Sequence, residues 1–194
     1  QNPSVLANPD LKPLRTITAE FGANVKMFKS RLGIDFAIYA GNTKNQILER
    51  ILDRSAGYTR EVVNAGKVRN TGFELTLNGT PIKSKSKDGF KWNTNIVFST
   101  NRNRIIGMPD TSLVLNTGPV GGGQIVAKIV GSMGDLYGRG YVRAPDGQIV
   151  YDATTGNALI TQDVVYIGNT IPKGKLGFSN DFSYKGFRLS FLFD

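Results

Sequence analysis

The sequence predicts an all-β fold: an antiparallel, up-and-down segment of a transmembrane β-barrel with long extracellular loops. Two observations predict this fold class. Six stretches of the chain alternate apolar and polar side chains with the period of two that is typical of β-strands. The connections between these stretches are alternately short and long, as they are in barrels that span a membrane.

The predicted strands are long for a globular protein. In the first strand, Phe21 and Val25 fall on one face, and Glu20 and Asn24 fall on the other. Ordinary strands average about 5–6 residues, whereas a strand that crosses a membrane needs about 9–11. A soluble sandwich gives the same alternation, so this pattern alone leaves both folds open. The strands are expected near residues 15–27, 31–41, 67–82, 90–103, 174–184 and 187–194.

The connections favour the membrane barrel. Residues 28–31, 83–89 and 185–186 form short connections, whereas 42–66 and 104–173 are long. Short turns on one side and long loops on the other are characteristic of membrane barrels, and a compact soluble domain rarely carries so long an irregular connection. The long connections are therefore predicted to be outer loops.

Composition excludes several classes of function. The chain has no His and no Cys, so it has no disulfides, no Cys/His metal site and no Ser-His-Asp or Cys-His catalytic system. We expect no enzymatic activity, no metal and no cofactor. The formal charge is +9, but the basic residues are scattered through turns, so we expect no nucleic-acid partner.

Polar faces of such a barrel line a wet lumen, and apolar faces meet lipid. In a transporter some of the polar residues would contact the solute or the plug. The alternative is that these residues only keep the barrel wall hydrated. Aromatic residues near the strand ends are predicted to form interfacial girdles, namely Phe90, Trp92, Tyr39, Tyr184 and Phe187. The predicted lumen-lining residues are Glu20, Asn24, Asp35, Tyr39, Glu74, Asn78, Asn93, Asn95 and Asp181.

Four motifs resemble a known family when they are taken together. They are NPDLKP at 8–13, NAGKVRNTGFEL at 64–75, MGDLYG at 133–138 and YKGFRLSFL at 184–192. In this order and at these distances they resemble the C-terminal half of the barrel of SusC/RagA-type TonB-linked outer-membrane transporters. The resemblance covers nearly the whole chain.

The resemblance implies that residues 1–194 are part of one TonB-dependent receptor-like β-barrel domain. Such barrels have about 22 strands and a plugged lumen. The implied location is the bacterial outer membrane, and the implied substrate is an oligosaccharide or an oligopeptide. The implied partners are a SusD-like surface lipoprotein, outer-membrane lipid and TonB, the last through an N-terminal part that these residues lack. We therefore expect the sequence to be a fragment.

The second long loop carries two further expectations. Tyr137, Arg139, Tyr141 and Arg143 are candidates for contact with substrate or with the lipoprotein lid, because Tyr and Arg are enriched at interfaces. The alternative is that the loop packs its own aromatic residues. Gly121-Gly122-Gly123 suggests a flexible joint.

Two stretches of the long loops carry local predictions. Ile47, Leu48, Ile51 and Leu52 have helical spacing, which predicts a short helix. Residues 145–157 suggest turns around a small hairpin.

Two other functions stay open at this point. A soluble surface β-sandwich, such as a carbohydrate-binding or adhesin module, shares the alternation. A small enzyme built on a carboxylate pair is the third possibility, but no pair at suitable spacing supports it.

Overall fold

The computed structural model describes residues 4–86, 88–117 and 123–194. Gly121 and Gly122, on which the predicted flexible joint rests, lie outside this range. Within it, no helix is long and apolar enough to cross a membrane. The described strands are β1 (Val5–Leu6), β2 (Arg15–Met27), β3 (Leu32–Lys44), β4 (Ile47–Ile51), β5 (Arg60–Asn64), β6 (Lys67–Lys83), β7 (Lys91–Gly107), β8 (Ser112–Thr117), β9 (Gln124–Lys128), β10 (Asp135–Gly138), β11 (Val165–Asn169), β12 (Lys175–Tyr184) and β13 (Phe187–Phe193).

The chain divides into two compact units. The sheet unit comprises Ile17–Asn42, Asn70–Arg102 and Pro172–Asp194. The loop unit comprises the residues up to Thr16 together with Thr43–Arg69 and Asn103–Ile171. The short connections therefore belong to the sheet unit, and most of the long connections belong to the loop unit.

The long strands form one six-stranded sheet in the order β13-β12-β7-β6-β3-β2. In this sheet each long strand lies beside the long strand that comes before or after it in the sequence. This is the up-and-down arrangement. The all-β, antiparallel fold class that the sequence predicts is thus confirmed. Because the six strands form a single sheet, they do not make the two facing layers of a sandwich.

Strand register matches polar with polar residues and apolar with apolar ones. Asp181 in β12 lies opposite Asn93 in β7 and Ser190 in β13. The next residue, Phe182, lies opposite Trp92 and Leu189. Since side chains alternate between faces along a strand, this register keeps each face uniform across neighbouring strands.

The tight turns of the sheet unit are built on left-handed backbone. Lys185 and Gly186 have φ angles of 46° and 79°, the pattern of a type I′ hairpin turn. In the first turn, Phe28, Lys29 and Ser30 have φ angles of 54°, 57° and 62°. Non-glycine residues seldom adopt this region, and bulky ones least of all.

The loop unit is folded and has its own small core. Strands β1, β5 and β4 form one sheet, and β11, β10, β9 and β8 form another. The core consists of the buried side chains of Ala65, Val68, Ile105, Leu113 and Ala127. The low periodicity of the long connections therefore reflects short strands rather than irregular chain.

The predicted short helix in the first long connection is wrong. Ile47–Ile51 is strand β4, which pairs antiparallel with β5. A helix of one or two turns is marginal without packing, whereas β-branched residues favour strands. Pairing of Leu48 with Val63 supplies the cross-strand contact that decides the outcome.

Residues 140–161 form a compact arrangement of three short segments. The Val142 amide donates to the Leu159 carbonyl at 2.8 Å, and the Leu159 amide donates to the Val150 carbonyl at 2.9 Å. The Val150 amide donates to the Val142 carbonyl at 3.0 Å, so each segment bonds to the other two. The prediction of turns around a small hairpin in this region is confirmed.

Candidate functional site

The polar face of the six-stranded sheet is the first candidate site. On one half of this face, Asn24 Nδ2 in β2 donates to Asp35 Oδ2 in β3 at 2.7 Å. A Cβ added to Gly33 would lie 3.7 Å from Cβ of Asn78 in β6, so both residues are on the same face. Thr80 Oγ1 and Asn93 Oδ1 in β7 are joined by a 3.1 Å hydrogen bond.

These contacts connect polar residues from one strand to the next across the sheet. Counting in steps of two along each strand places all the predicted lumen-lining residues on this face. The structure therefore brings together residues that are widely separated in sequence. The members of this polar face are Glu20, Asn24, Asp35, Tyr39, Glu74, Asn78, Asn93, Asn95 and Asp181.

A cleft of about 620 Å³ lies on the polar side of the sheet, near the short turns. Arg31, Asn78, Asn93, Asp181 and Arg188 are among its lining residues. The cleft combines amide groups with charges of both signs. Such a surface hydrogen-bonds water and polar solutes equally well, and its chemistry suits the wall of an aqueous path.

Asp181 is the centre of a local hydrogen-bond network. Its Oδ2 accepts from Ser190 Oγ at 2.6 Å and from Arg188 Nε. Arg188 is 73% exposed and Asp181 is 23% exposed, so solvent screens the ion pair. Sequence reasoning missed both partners. The two-residue turn at Lys185-Gly186 contains the signal, because it pairs Tyr184 with Phe187 and hence Asp181 with Ser190.

Tyr39 does not lie on the apolar face, where a residue of an aromatic girdle is expected. It lies within β3 on the polar face, where a Cβ on Gly72 would collide with its ring. The prediction that Tyr39 belongs to a lipid-facing aromatic girdle is therefore wrong. The physical reason is the alternation of side chains along β3, which places Tyr39 on the same face as Asp35, where its ring covers Gly72.

Aromatic side chains cluster on the opposite, apolar face. The ring of Phe182 stacks on Trp92 at 5.7 Å and on Phe90 at 6.1 Å between centroids, and it also contacts Phe191 at 6.0 Å. Asn180 interrupts this face, as its sequence position indicates. It is only 4% exposed, and its Oδ1 accepts a hydrogen bond from Trp92 Nε1.

The rest of the apolar face is open. Phe21, Leu176, Leu189 and Phe193 are 62%, 57%, 63% and 63% exposed. Contiguous apolar surface of this kind marks a protein or membrane contact.

The four residues of the loop unit that were predicted to contact substrate or lid differ in their local contacts. The ring of Tyr137 packs edge-on against Tyr166 at 5.8 Å, and Lys128 Nζ lies 4.0 Å from its centroid. Arg139 and Tyr141 are exposed. Arg143 Nη1 donates to the Gly147 carbonyl at 2.7 Å, which closes the local turn. Arg139 and Tyr141 thus present free surface, whereas Tyr137 and Arg143 also serve local structure.

Asp135 gives the MGDLYG motif a structural role in the loop unit. Its side chain is buried at 7% exposure. One carboxylate oxygen accepts from the Ser132 amide and the other from Asn169 Nδ2, each at 2.8 Å. The carboxylate therefore joins the turn before β10 to the end of β11, a role that sequence reasoning did not assign.

Two loop carboxylates have lowered pKa values. Hydrogen bonds from the Ser55 hydroxyl and amide lower the pKa of Asp53. For Asp152, the Thr155 amide lowers the pKa most, followed by the Thr155 hydroxyl and the Thr154 amide. Both are turn-capping carboxylates. In the described part of the chain, no three acidic, His or Cys residues group together as a metal site would require.

Comparison with known proteins gives a consistent result. The family model described as "TonB dependent receptor-like, beta-barrel" matches residues 1–186. TonB-dependent receptor P3 of Formosa agariphila is 26% identical, over 96% of this chain and 21% of that protein. TonB-dependent receptor P26 of the same organism is 27% identical, over 96% of this chain and 20% of that protein. The chain thus spans about a fifth of the length of these curated relatives.

Solved structures share the fold. The RagAB peptide transporter superposes with a TM-score of 0.71 at 23% identity, covering 94% of this chain and 21% of that one. The RagAB peptide importer in its "closed-closed" state gives a TM-score of 0.69 at 23% identity, with the same coverage. At this level of identity the likeness concerns the fold alone.

Proposed function

This chain belongs to the TonB-dependent receptor-like β-barrel family and is a segment of such a barrel, and we propose that the whole protein imports oligosaccharides or oligopeptides across the bacterial outer membrane. The family match confirms the resemblance that the motifs indicate. The soluble sandwich is not favoured, because neither the family nor the single six-stranded sheet agrees with it.

The segregation of the two faces of the sheet is the observation that carries this proposal. One face holds Asp35, Glu74, Asn93 and Asp181, and the other holds exposed aromatic and aliphatic side chains. Transmembrane barrels place polar residues toward the lumen and apolar residues toward lipid. We therefore assign the polar face to the solute path and the apolar face to the membrane.

The partners follow from the same assignment. A SusD-like lipoprotein would cover the long loops at the cell surface. TonB would act through an N-terminal part of the protein that lies outside these residues. The RagAB structures are of a peptide transporter, which is compatible with an oligopeptide substrate but does not choose between peptide and glycan.

Arg139 and Tyr141 are the loop residues best placed for contact with substrate or lid. Both are exposed, and Tyr141 is 55% exposed on the compact segment 140–161. The backbone of Tyr141 is held by that segment through a bridge to Ile160, and Arg139 directly precedes the segment, so little ordering entropy would be lost on binding. Tyr137 and Arg143 lie on the same stretch and have the supporting role that their local contacts indicate.

The test is uptake by cells that carry the full-length protein. Cells with the gene, cells without it and cells without TonB are given labelled oligopeptides and oligosaccharides. We expect uptake of one substrate class only when both the gene and TonB are present, with the protein in the outer-membrane fraction. Uptake that is unchanged after deletion of the gene would contradict the proposal.

The loop assignment has its own control. The double variant Arg139→Ala/Tyr141→Ala should reduce uptake at low substrate concentration at equal outer-membrane abundance. Tyr151→Ala removes another exposed tyrosine from the same segment and should leave uptake unchanged. Equal losses in both variants would show that these two residues have no special part.

A further inference from the structure

The three short turns of the sheet unit share an unusual sequence feature. Each carries an aromatic residue followed directly by a cation. The pairs are Phe28-Lys29, Phe90-Lys91, Tyr184-Lys185 and Phe187-Arg188. Their aromatic side chains are 72%, 38%, 48% and 83% exposed in the same order.

These turns lie at the same end of the strands, because they join β2 to β3, β6 to β7 and β12 to β13 in an up-and-down sheet. Backbone hydrogen bonds extend from one hairpin to the next. The Lys185 amide donates to the Asp88 carbonyl at 3.1 Å, and the Thr80 amide donates to the Arg31 carbonyl at 2.7 Å. The aromatic–cation pairs and the other lysines of these turns, Lys83 and Lys85, therefore form one continuous rim.

The rim is basic. Lys29, Lys83, Lys85 and Lys185 are all exposed, and within the described residues none of them has an ion-pair partner. Asp88 is the acidic residue in these turns. Lys185 Nζ lies 5.2 Å from the centroid of the Tyr184 ring, so the cation and the apolar ring are presented together.

The backbone conformation of the turns does not account for the residue types found there. Phe28, Lys29 and Lys185 occupy left-handed conformations, in which Gly or Asn is favoured. Strained backbone of this kind persists where the surroundings or a function compensate for it. The observed residues are instead one large aromatic side chain and two lysines, all of them exposed.

We infer that this rim binds the phosphate headgroups of anionic phospholipids in the leaflet that the short turns face. The lysines meet the phosphates, and the aromatic rings enter the boundary between headgroups and acyl chains. Basic residues at a membrane surface attract anionic lipid, and aromatic rings settle at the same depth. The inference rests on the proposed membrane location and adds a lipid preference to it.

The experiment uses the full-length protein in detergent. Dissociation constants for phosphatidylglycerol and phosphatidylcholine are measured by native mass spectrometry. The rim variant is Lys29→Asn/Lys83→Gln/Lys85→Gln/Lys185→Asn, in which the two Asn residues suit the left-handed turns, so that folding is retained. The control is Lys12→Gln/Lys44→Gln/Lys67→Gln/Lys173→Gln, which removes as many exposed lysines from the long-connection ends.

We expect the wild-type protein to prefer phosphatidylglycerol by about tenfold or more, since each basic residue near an anionic surface contributes appreciably. The rim variant should lose that preference, and the control should keep it within about twofold. The preference should also weaken as salt is raised, because the rim is exposed.

Three results would overturn the inference: no lipid preference in the wild-type protein, an unchanged preference in the rim variant, or an equal loss in the control. None of these results bears on import. Failure of the proposed function would appear separately, as absence of the wild-type protein from the outer-membrane fraction or as uptake that does not depend on the gene.

Discussion

Trp92 Nε1 donates a hydrogen bond to Asn180 Oδ1 at 2.9 Å on the otherwise apolar face of the sheet. Asn180 is nearly fully buried, and its Nδ2 has no hydrogen-bond partner among the described residues. Burial of a polar group without a partner costs free energy, so this one bond compensates for an amide among aromatic rings.

A double-mutant cycle should measure this bond. Trp92→Phe leaves Asn180 Oδ1 without its donor and should lower the free energy of unfolding by about 1–3 kcal/mol, whereas Asn180→Leu leaves Trp92 Nε1 unpaired but also removes the unpaired Nδ2, so it should lower this free energy less. The double variant removes both polar groups and should cost less than the sum, with a coupling of about 1 kcal/mol. Urea titration of the full-length protein in vesicles gives these values.

The control for the cycle pairs Asn180→Leu with Phe21→Leu in β2, the strand at the far edge of the sheet. These two changes should be additive within about 0.5 kcal/mol. Additivity of Trp92→Phe with Asn180→Leu as well would show that the hydrogen bond contributes nothing.

Tyr39 and Gly72 form a second coupled pair. A Cβ on Gly72 would occupy the space of the Tyr39 ring, so Gly72→Ala must displace the ring and should lower the free energy of unfolding by about 1 kcal/mol. Gly33→Ala is the matched control, because its nearest neighbour would be 3.7 Å away. In a Tyr39→Ala background the cost of Gly72→Ala should disappear, and a cost that persists would contradict the assignment.

Cysteine accessibility should distinguish the two faces of the sheet. The sequence has no Cys, so single cysteines can be introduced into a full-length protein freed of any others. Asn24→Cys and Glu74→Cys, on the polar face, should react with a water-soluble maleimide. Val25→Cys and Phe73→Cys should react at least about tenfold more slowly, since an apolar environment disfavours the reactive thiolate.

All four cysteine variants should label equally after denaturation, which controls for protein amount. Similar rates on both faces of the folded protein in membranes would contradict the assignment of one face to water and the other to lipid.

Asp152 should make the segment 140–161 sensitive to acid. Hydrogen bonds from Thr155 and Thr154 lower its pKa below 3.8, so their stabilising effect is complete above that pH and is lost as the pH falls through the folded-state value. Hydrogen exchange, corrected for intrinsic rates, should show protection of the amides of Thr154 and Thr155 that declines only below about pH 4.

In Asp152→Ala this protection should be absent at every pH. Asp146→Ala, which removes the carboxylate that caps Gln148 in the same segment, should leave the amides of Thr154 and Thr155 protected. Protection in Asp152→Ala that equals the wild-type level would contradict the role of Asp152.

Much of the sheet could be predicted from the sequence because the side-chain period of a strand is two. A strand pattern such as that around Phe21 and Asn24 assigns each residue to a face without any knowledge of its neighbours. The two-residue turn at Lys185-Gly186 likewise implies the pairing of Asp181 with Ser190. These are local properties, and the sequence alone determined the fold class, the polar face and the family resemblance.

Only the tertiary structure decided the features that depend on contacts between distant residues. Helical spacing at Ile47 and Leu48 gave way to pairing with β5, and the contact of the Tyr39 ring with Gly72 on another strand is not specified by the pattern of β3. The buried carboxylate of Asp135 meets Asn169 34 positions away in the chain. Local pattern cannot specify such partners, since the free energy that selects them comes from packing and hydrogen bonds formed only when the chain is folded.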